Sequence, residues 1–230
     1  MPVIGGLQKS SLLDYPGKIS AIVFMQGCNF RCGFCHNPEL ISIKQSGISV
    51  SDCLNFLETR RGKLDAVVIT GGEPCLQSGL KDFIRKIKAM DFLVKLDTNG
   101  SFPSVLEELL RENLLDYIAM DIKAPFEKYT ALAGMPVDTE KIRESISIIM
   151  NSGIDYEFRT TVVREQLTHD DIIQTSRQIA GAEKYYLQKF IPSKILNPAL
   201  QTAGTYSDSE FEVIIQNIRS YVKNSALRIS

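Results

Sequence analysis

Three of the five cysteines in this 230-residue chain fall within eight positions, in the stretch "GCNFRCGFCHNP" from Gly27 to Pro38. Thiolates at C-x₃-C-x₂-C spacing can hold a metal centre or work as a redox pair, and the readings differ in how many of them they use. Cys32, Cys35 and His36 match both a C-x-x-C redox pair and a C-x-x-C-H haem attachment site. Covalent haem is attached outside the cytoplasm, and the first residues do not read as an export signal. A redox pair should open a helix, and it gives Cys28 no role. Zinc would take His36 as a fourth ligand, although neighbours such as Cys35 and His36 rarely reach one tetrahedral ion. Three cysteines suit a [4Fe–4S] cluster, in which three irons take thiolates and the fourth stays open for a ligand.

The scaffold that must hold these thiolates is readable from periodicity. Six β-branched or aromatic runs recur: "ISAIVFM" (19–25), "AVVIT" (66–70), "LVKLD" (93–97), "YIAMDI" (117–122), "YEFRTTVV" (156–163) and "YYLQKFI" (185–191). Each has the length and composition of a strand. Amphipathic segments of helical period lie between them, among them 80–90, 105–113, 140–153 and 169–181. Ser207 and Glu210 form a capping box ahead of a last helix. Strands alternating with helices give a parallel sheet with right-handed crossovers. Six units fall short of a closed eight-stranded barrel, so the expected fold is α/β, an open partial (β/α)6 TIM-like barrel with outer helices. A flat doubly wound sheet is the alternative. Residues 1–230 read as one domain, with an N-terminal extension over 1–18 and a C-terminal extension over 193–230.

The polar residues share one address in this scheme. Successive strands run into the cysteine loop, "TGGEP", "DTNG", "MDIKAP", "RTTVV" and "QKFIP". In a parallel barrel that edge is where ligands bind, so Glu73, Asp97, Thr98, Asn99, Asp121 and Lys123 are expected around a common mouth. Gly-Gly and Asn-Gly are also ordinary turn formers; it is the coincidence of several such loops that carries the inference.

Composition narrows the setting. The net charge is −1 and the basic residues are scattered, so there is no basic face for nucleic acid. No apolar stretch approaches the ~18 residues that span a bilayer. A cytoplasmic protein is expected, and clustered cysteines in a reducing compartment point away from structural disulfides.

The motif C-x₃-C-x-Φ-C, with Phe34 as the aromatic Φ, resembles the signature of the radical S-adenosylmethionine (radical SAM) superfamily, and "GGEP" is similar to its second motif. The resemblance implies Cys28, Cys32 and Cys35 as ligands of a [4Fe–4S] cluster that cleaves S-adenosylmethionine to methionine and a 5′-deoxyadenosyl radical. It assigns Gly71, Gly72 and Glu73 to the methionyl ammonium, Lys123 to the carboxylate, and Asp121 to cationic or ribose donors. Phe34, Val163, Phe190 and Ile191 would wall the adenine. Arg159, in "RTTVV", joins the cofactor-binding set. Together "DYPG" (14–17), "QGCNFRCGFCHNP", "TGGEP", "DTNG" and "DIK" are similar to the glycyl-radical-enzyme activases, over about Gly6 to Pro192. In that group Asp97, Thr98 and Asp121 match positions that hold S-adenosylmethionine, sometimes through a monovalent cation.

The phrase "SLLDYPGKISAIVFMQGCNFRCGFCHNPEL" most resembles activating proteins of anaerobic ribonucleoside-triphosphate reductase. The implied partner is therefore a glycyl radical enzyme whose glycine Cα loses a hydrogen, with a reducing donor such as flavodoxin or ferredoxin. Two alternatives are an activase of a pyruvate formate-lyase-type enzyme and a radical SAM enzyme acting on a small molecule. Cys53 reads as a small buried hydrophobe on a helix, and Cys75 as a packing residue near the mouth.

Overall fold

The computed structural model describes residues 1–44 and 47–228. Its strands form one eight-stranded sheet in chain order. β1 (Ile4–Ser11) pairs antiparallel with β2 (Ser20–Met25). From β2 through β3 (Ala66–Gly71), β4 (Leu93–Thr98), β5 (Tyr117–Asp121), β6 (Asp155–Val162), β7 (Lys184–Lys189) and β8 (Asn224–Arg228), every pairing is parallel. β1 and β8 are the two ends of the strand order, which leaves the barrel open.

The helices are α1 (Val50–Glu58), α2 (Leu80–Lys88), α3 (Pro103–Arg111), α4 (Tyr129–Ala133), α5 (Thr139–Met150), α6 (His169–Gln178) and α7 (Asp208–Ile218). α2 shows why they dock: Leu80, Phe83, Ile84 and Ile87 fall on one face and are buried. Burying each such side chain is worth about 1.5–3 kcal/mol. Ser207 and Glu210 make the expected capping box on α7.

The six expected strands all form. The structure adds β1 and β8, so the unit count falls short of the sheet by one strand at each end. Neither "IGGLQKSS" nor "NSALR" has the β-branched composition of a strand; each gains its extended conformation from the neighbour it pairs with.

Side chains on one face of the sheet join the helices in the main core. The opposite, concave face holds a separate apolar cluster of Tyr15, Ile22, Ala66, Val68 and Tyr117. The Tyr15 and Tyr117 rings lie 5.6 Å apart. Tyr15 belongs to "DYPG", so that turn plugs the barrel floor, at the strand end opposite the cysteines. Above the plug the concave face becomes charged, with Lys95 and Asp97 on β4 and Glu157 and Arg159 on β6 spaced two residues apart, as strand alternation requires.

Candidate functional site

The loop after β2 is positioned by backbone contacts. Gly27 N–H donates to Leu40 O at 2.7 Å and Cys28 N–H to Ile41 O at 3.0 Å, so the loop folds back on itself. On one flank Arg31 N–H donates to Ala133 O of α4 at 2.7 Å; on the other, Asn197 N–H donates to Gly33 O at 2.9 Å. Cys28, Cys32 and Cys35 are free thiols and line one cavity of about 200 Å³ together with Phe30, Phe34 and His36.

The chemistry of this donor set selects among the readings. Burial pushes the Cys28 thiol up to about 11 and raises Cys32 as well, whereas a redox nucleophile needs a lowered value. Zinc would need a fourth ligand beside the three thiols, and among the described residues the only histidine lining the cavity is His36, next to Cys35 in the chain. A cubane takes each thiolate on a different iron, so three thiols spread around one cavity fit it. Cys75 is buried outside the lining, and Cys53 is buried on α1, each with a pKa raised first by desolvation. Both match the packing role read from sequence.

Gly71 and Gly72 line the cavity, and their missing side chains serve backbone packing. A Cβ on Gly71 would lie 2.4 Å from Met25 N, and one on Gly72 would lie 2.2 Å from Gly27 O. Glu73 departs from its expected position: it is fully buried and outside the lining. Its carboxylate accepts from Cys75 N–H at 3.0 Å, Thr98 Oγ1 at 2.8 Å and Asn99 N–H at 2.7 Å, which clamps the β3 loop to the β4 loop. Burial raises this carboxyl against the pull of its three donors.

Asp97, Thr98, Asn99, Asp121, Lys123 and Arg159 all line the cavity. Arg159 Nε donates to Asp121 Oδ1 at 2.8 Å, and its Nη1 lies 3.4 Å from Asp97 Oδ2. Lys123 Nζ is 3.2 Å from Asp121, and Lys95 pairs with Asp97. Burial alone would raise Asp121, but Arg159 and Lys123 outweigh it and hold the carboxyl down at about 2. Burial disfavours the Lys123 ammonium, yet Asp121 keeps it charged, and it sits 5.8 Å over the Phe34 ring. The cavity thus presents a fixed cation beside the cysteine loop. Asn99 is tied sideways, donating to Asn29 Oδ1 at 2.9 Å.

Val163 and Phe190 do not reach the cavity. Both are buried in the main core at 1% and 2% exposure. β6 ends at Val162, and the turn after it, closed by Leu167 N–H on Val163 O, carries Val163 away from the inward face shared by Arg159 and Thr161. Phe190 sits behind His36, with ring centroids 6.0 Å apart. Ile191 is half exposed and also outside the lining. In their place the structure brings Phe30, Ile41, Thr70 and Thr161 to the wall. Thr161 was accessible from alternation with Arg159; Ile41 was not, because only the fold-back at Gly27 brings it there.

Comparison with known proteins agrees with this geometry. The Radical SAM superfamily model matches residues 22–179. A Methanocaldococcus jannaschii protein, provisionally named a glycyl-radical enzyme activating enzyme, is 31% identical over 98% of this chain and 95% of its own length. The pyruvate formate-lyase 1-activating enzyme of Escherichia coli K12 is 28% identical, over 81% of each chain. Among solved structures, Streptococcus suis SuiB bound to S-adenosylmethionine superposes with a TM-score of 0.67 at 14% identity, over 87% of this chain and 48% of that one. That likeness is one of fold. On the cysteine motif, the family match and a relative similar along its whole length, this chain belongs to the radical SAM superfamily and is related to the glycyl-radical enzyme activating enzymes.

Proposed function

We propose that this radical SAM enzyme activates anaerobic ribonucleoside-triphosphate reductase by removing one hydrogen atom from the Cα of a glycine in that partner. Cys28, Cys32 and Cys35 would hold a [4Fe–4S] cluster, which when bound and reduced by an external donor would supply the single electron needed to split S-adenosylmethionine into methionine and a 5′-deoxyadenosyl radical. The hydrogen taken from glycine then appears in 5′-deoxyadenosine, and the unpaired electron stays on the partner. The observation that carries the reading is the single cavity in which three free thiols meet the charged set of Lys123, Asp121, Arg159 and Asp97. In this reading Lys123, held protonated by Asp121, pairs with the methionyl carboxylate. Asp121 and Asp97, which line the same cavity, take cationic or ribose donors in this reading, and Phe34 and Phe30 give apolar surface.

Lys95, Lys123 and Arg159 already neutralise Asp97 and Asp121, which favours protein cations over a monovalent ion at that position. The choice of reductase over pyruvate formate-lyase rests on the resemblance of the whole phrase "SLLDYPGKISAIVFMQGCNFRCGFCHNPEL". A flavodoxin or ferredoxin as donor, and a cytoplasmic setting, suit a protein with five free cysteines.

The test is to incubate anaerobically reconstituted, reduced protein with S-adenosylmethionine and the reductase, and to follow 5′-deoxyadenosine and the glycyl radical by electron paramagnetic resonance. The expected result is a radical on the reductase that vanishes when its acceptor glycine is replaced by alanine. A radical formed only on a pyruvate formate-lyase-type enzyme would reassign the partner. Turnover of a small substrate with no protein radical would overturn activase function.

A further inference from the structure

Arg159 faces more carboxylates than one guanidinium can satisfy. Asp121 lies at 2.8 Å, Asp97 at 3.4 Å and Glu157 at 4.0 Å. Glu157 is completely buried on β6, one inward position closer to the barrel floor. It draws on a different residue instead: Arg228 of β8 donates Nη1 to Oε1 at 2.6 Å and Nη2 to Oε2 at 2.9 Å. Tyr117 OH adds a third donor at 2.9 Å, while Lys95, the cation on the facing β4, is engaged with Asp97. Arg228 is itself fixed, with its guanidinium 4.1 Å above the Tyr186 ring. β8 lies beyond residues 22–179, so this contact comes from outside the segment that defines the superfamily.

A buried carboxylate that loses its bidentate partner becomes strongly unfavourable and captures the nearest donor. Without Arg228 the nearest guanidinium is that of Arg159, held by Asp121 and Asp97 but with its Nη1 already within 4.0 Å of Glu157. Turning toward Glu157 draws its Nε from Asp121. We propose that Arg228 is a positioning residue: by neutralising Glu157 it keeps Arg159 on Asp121 and Asp97, and so makes the C-terminal strand part of the S-adenosylmethionine site.

The kinetic arm of the test rests on S-adenosylmethionine binding in the cavity; the spectroscopic arm does not. Arg228→Gln, Glu157→Gln and the double variant are prepared as full chains with reconstituted cluster. Solvent exchange of the Arg159 Nε–H is followed by ¹⁵N NMR, assigned by its loss in Arg159→Lys, with and without cluster. The KM for S-adenosylmethionine is taken from 5′-deoxyadenosine release. Arg228→Gln is expected to speed Arg159 exchange and raise KM, each about tenfold or more, with kcat little changed, as the loss of one charge-assisted hydrogen bond implies. The double variant, with two neutral amides facing each other, restores both values to near wild type. Unchanged exchange in Arg228→Gln overturns the proposal, and so does a double variant as impaired as Arg228→Gln, since β8 would then act only by being attached. If Arg228→Gln does not fold, the double variant decides: wild-type exchange supports the proposal, and faster exchange refutes it. Absence of S-adenosylmethionine cleavage in the wild type would sink the functional reading, while Arg159 exchange still decides this one.

Discussion

Replacing Asp121 by asparagine removes the carboxylate that holds Arg159 and Lys123 while leaving its volume. In the folded protein the carboxyl sits at about 2, against 3.8 for the free side chain, because Arg159 and Lys123 outweigh the cost of burial. At about 1.36 kcal/mol per pKa unit, the depressed value corresponds to about 2 kcal/mol of stability. That is an upper figure, since the side chain keeps 31% exposure and water screens part of the attraction. The sign follows from the lowered value. The contribution is complete above the unfolded-state pKa of 3.8 and is lost as pH falls through the folded value.

Urea unfolding of wild type and Asp121→Asn, in the same cluster state, should differ by up to about 2 kcal/mol at pH 7 and converge toward pH 2. The variant should also bind S-adenosylmethionine more weakly, because the carboxylate that orients Arg159 and Lys123 in the cavity is gone. A stability gap that persists unchanged to pH 2 would show that the effect is not electrostatic. No gap at pH 7 would show that Arg159 and Lys123 find other partners at no cost, and the charge network drawn for the cavity would be wrong.

Cys28→Ala, Cys32→Ala and Cys35→Ala should each lose bound iron and sulfide, whereas Cys75→Ala should retain both; iron and sulfide analysis after identical reconstitution separates them, and an intact cluster in Cys28→Ala would remove that residue as a ligand. Glu73→Ala leaves the Cys75, Thr98 and Asn99 donors unpaired in the interior. At about 1–3 kcal/mol for each unpaired donor it should cost about 3 kcal/mol or more in cluster-free unfolding, and an effect confined to KM would restore Glu73 to the ammonium. Gly72→Ala puts a Cβ 2.2 Å from Gly27 O. Both sides of that contact are backbone, so the thermal midpoint should fall, and a variant that melts with the wild type would show that the two loops can separate freely.

The strands and most helices were legible because their periods and end signals agree with the fold. So was the position of the charged residues, since the carboxyl ends of parallel strands meet in space. What escaped were features that depend on pairing or on loop geometry. β1 and β8 lack strand composition and exist through their neighbours. The burial of Glu73 was not legible, because the three donors that enclose it come from its own loop and from the next strand's. Val163 and Phe190 are apolar residues near the mouth, and sequence cannot tell a mouth-facing phenylalanine from one packed behind a histidine. Arg228 carried no signal at all, because its partner is on β6, two strands away.

The glycines of the site lead to a last prediction. A Cβ on Gly134, which follows α4 at φ +67, would lie 2.4 Å from Arg31 O, in the middle of the cysteine loop. With Gly72 against Gly27 O at the loop's start, the three thiols are framed at two points by backbone resting on backbone, where no flexible side chain can yield. Such framing suits a loop whose three thiolates must keep fixed separations when no fourth protein ligand completes the set. Gly134→Ala removes no thiol, yet it should displace Arg31 and with it Cys32, lowering cluster content after reconstitution while the cluster-free fold, measured by circular dichroism, persists. Full cluster occupancy in Gly134→Ala would show that the loop adapts to the cluster. Partial occupancy with an intact fold would show that the protein, through backbone contacts no cysteine motif encodes, sets where the thiolates stand.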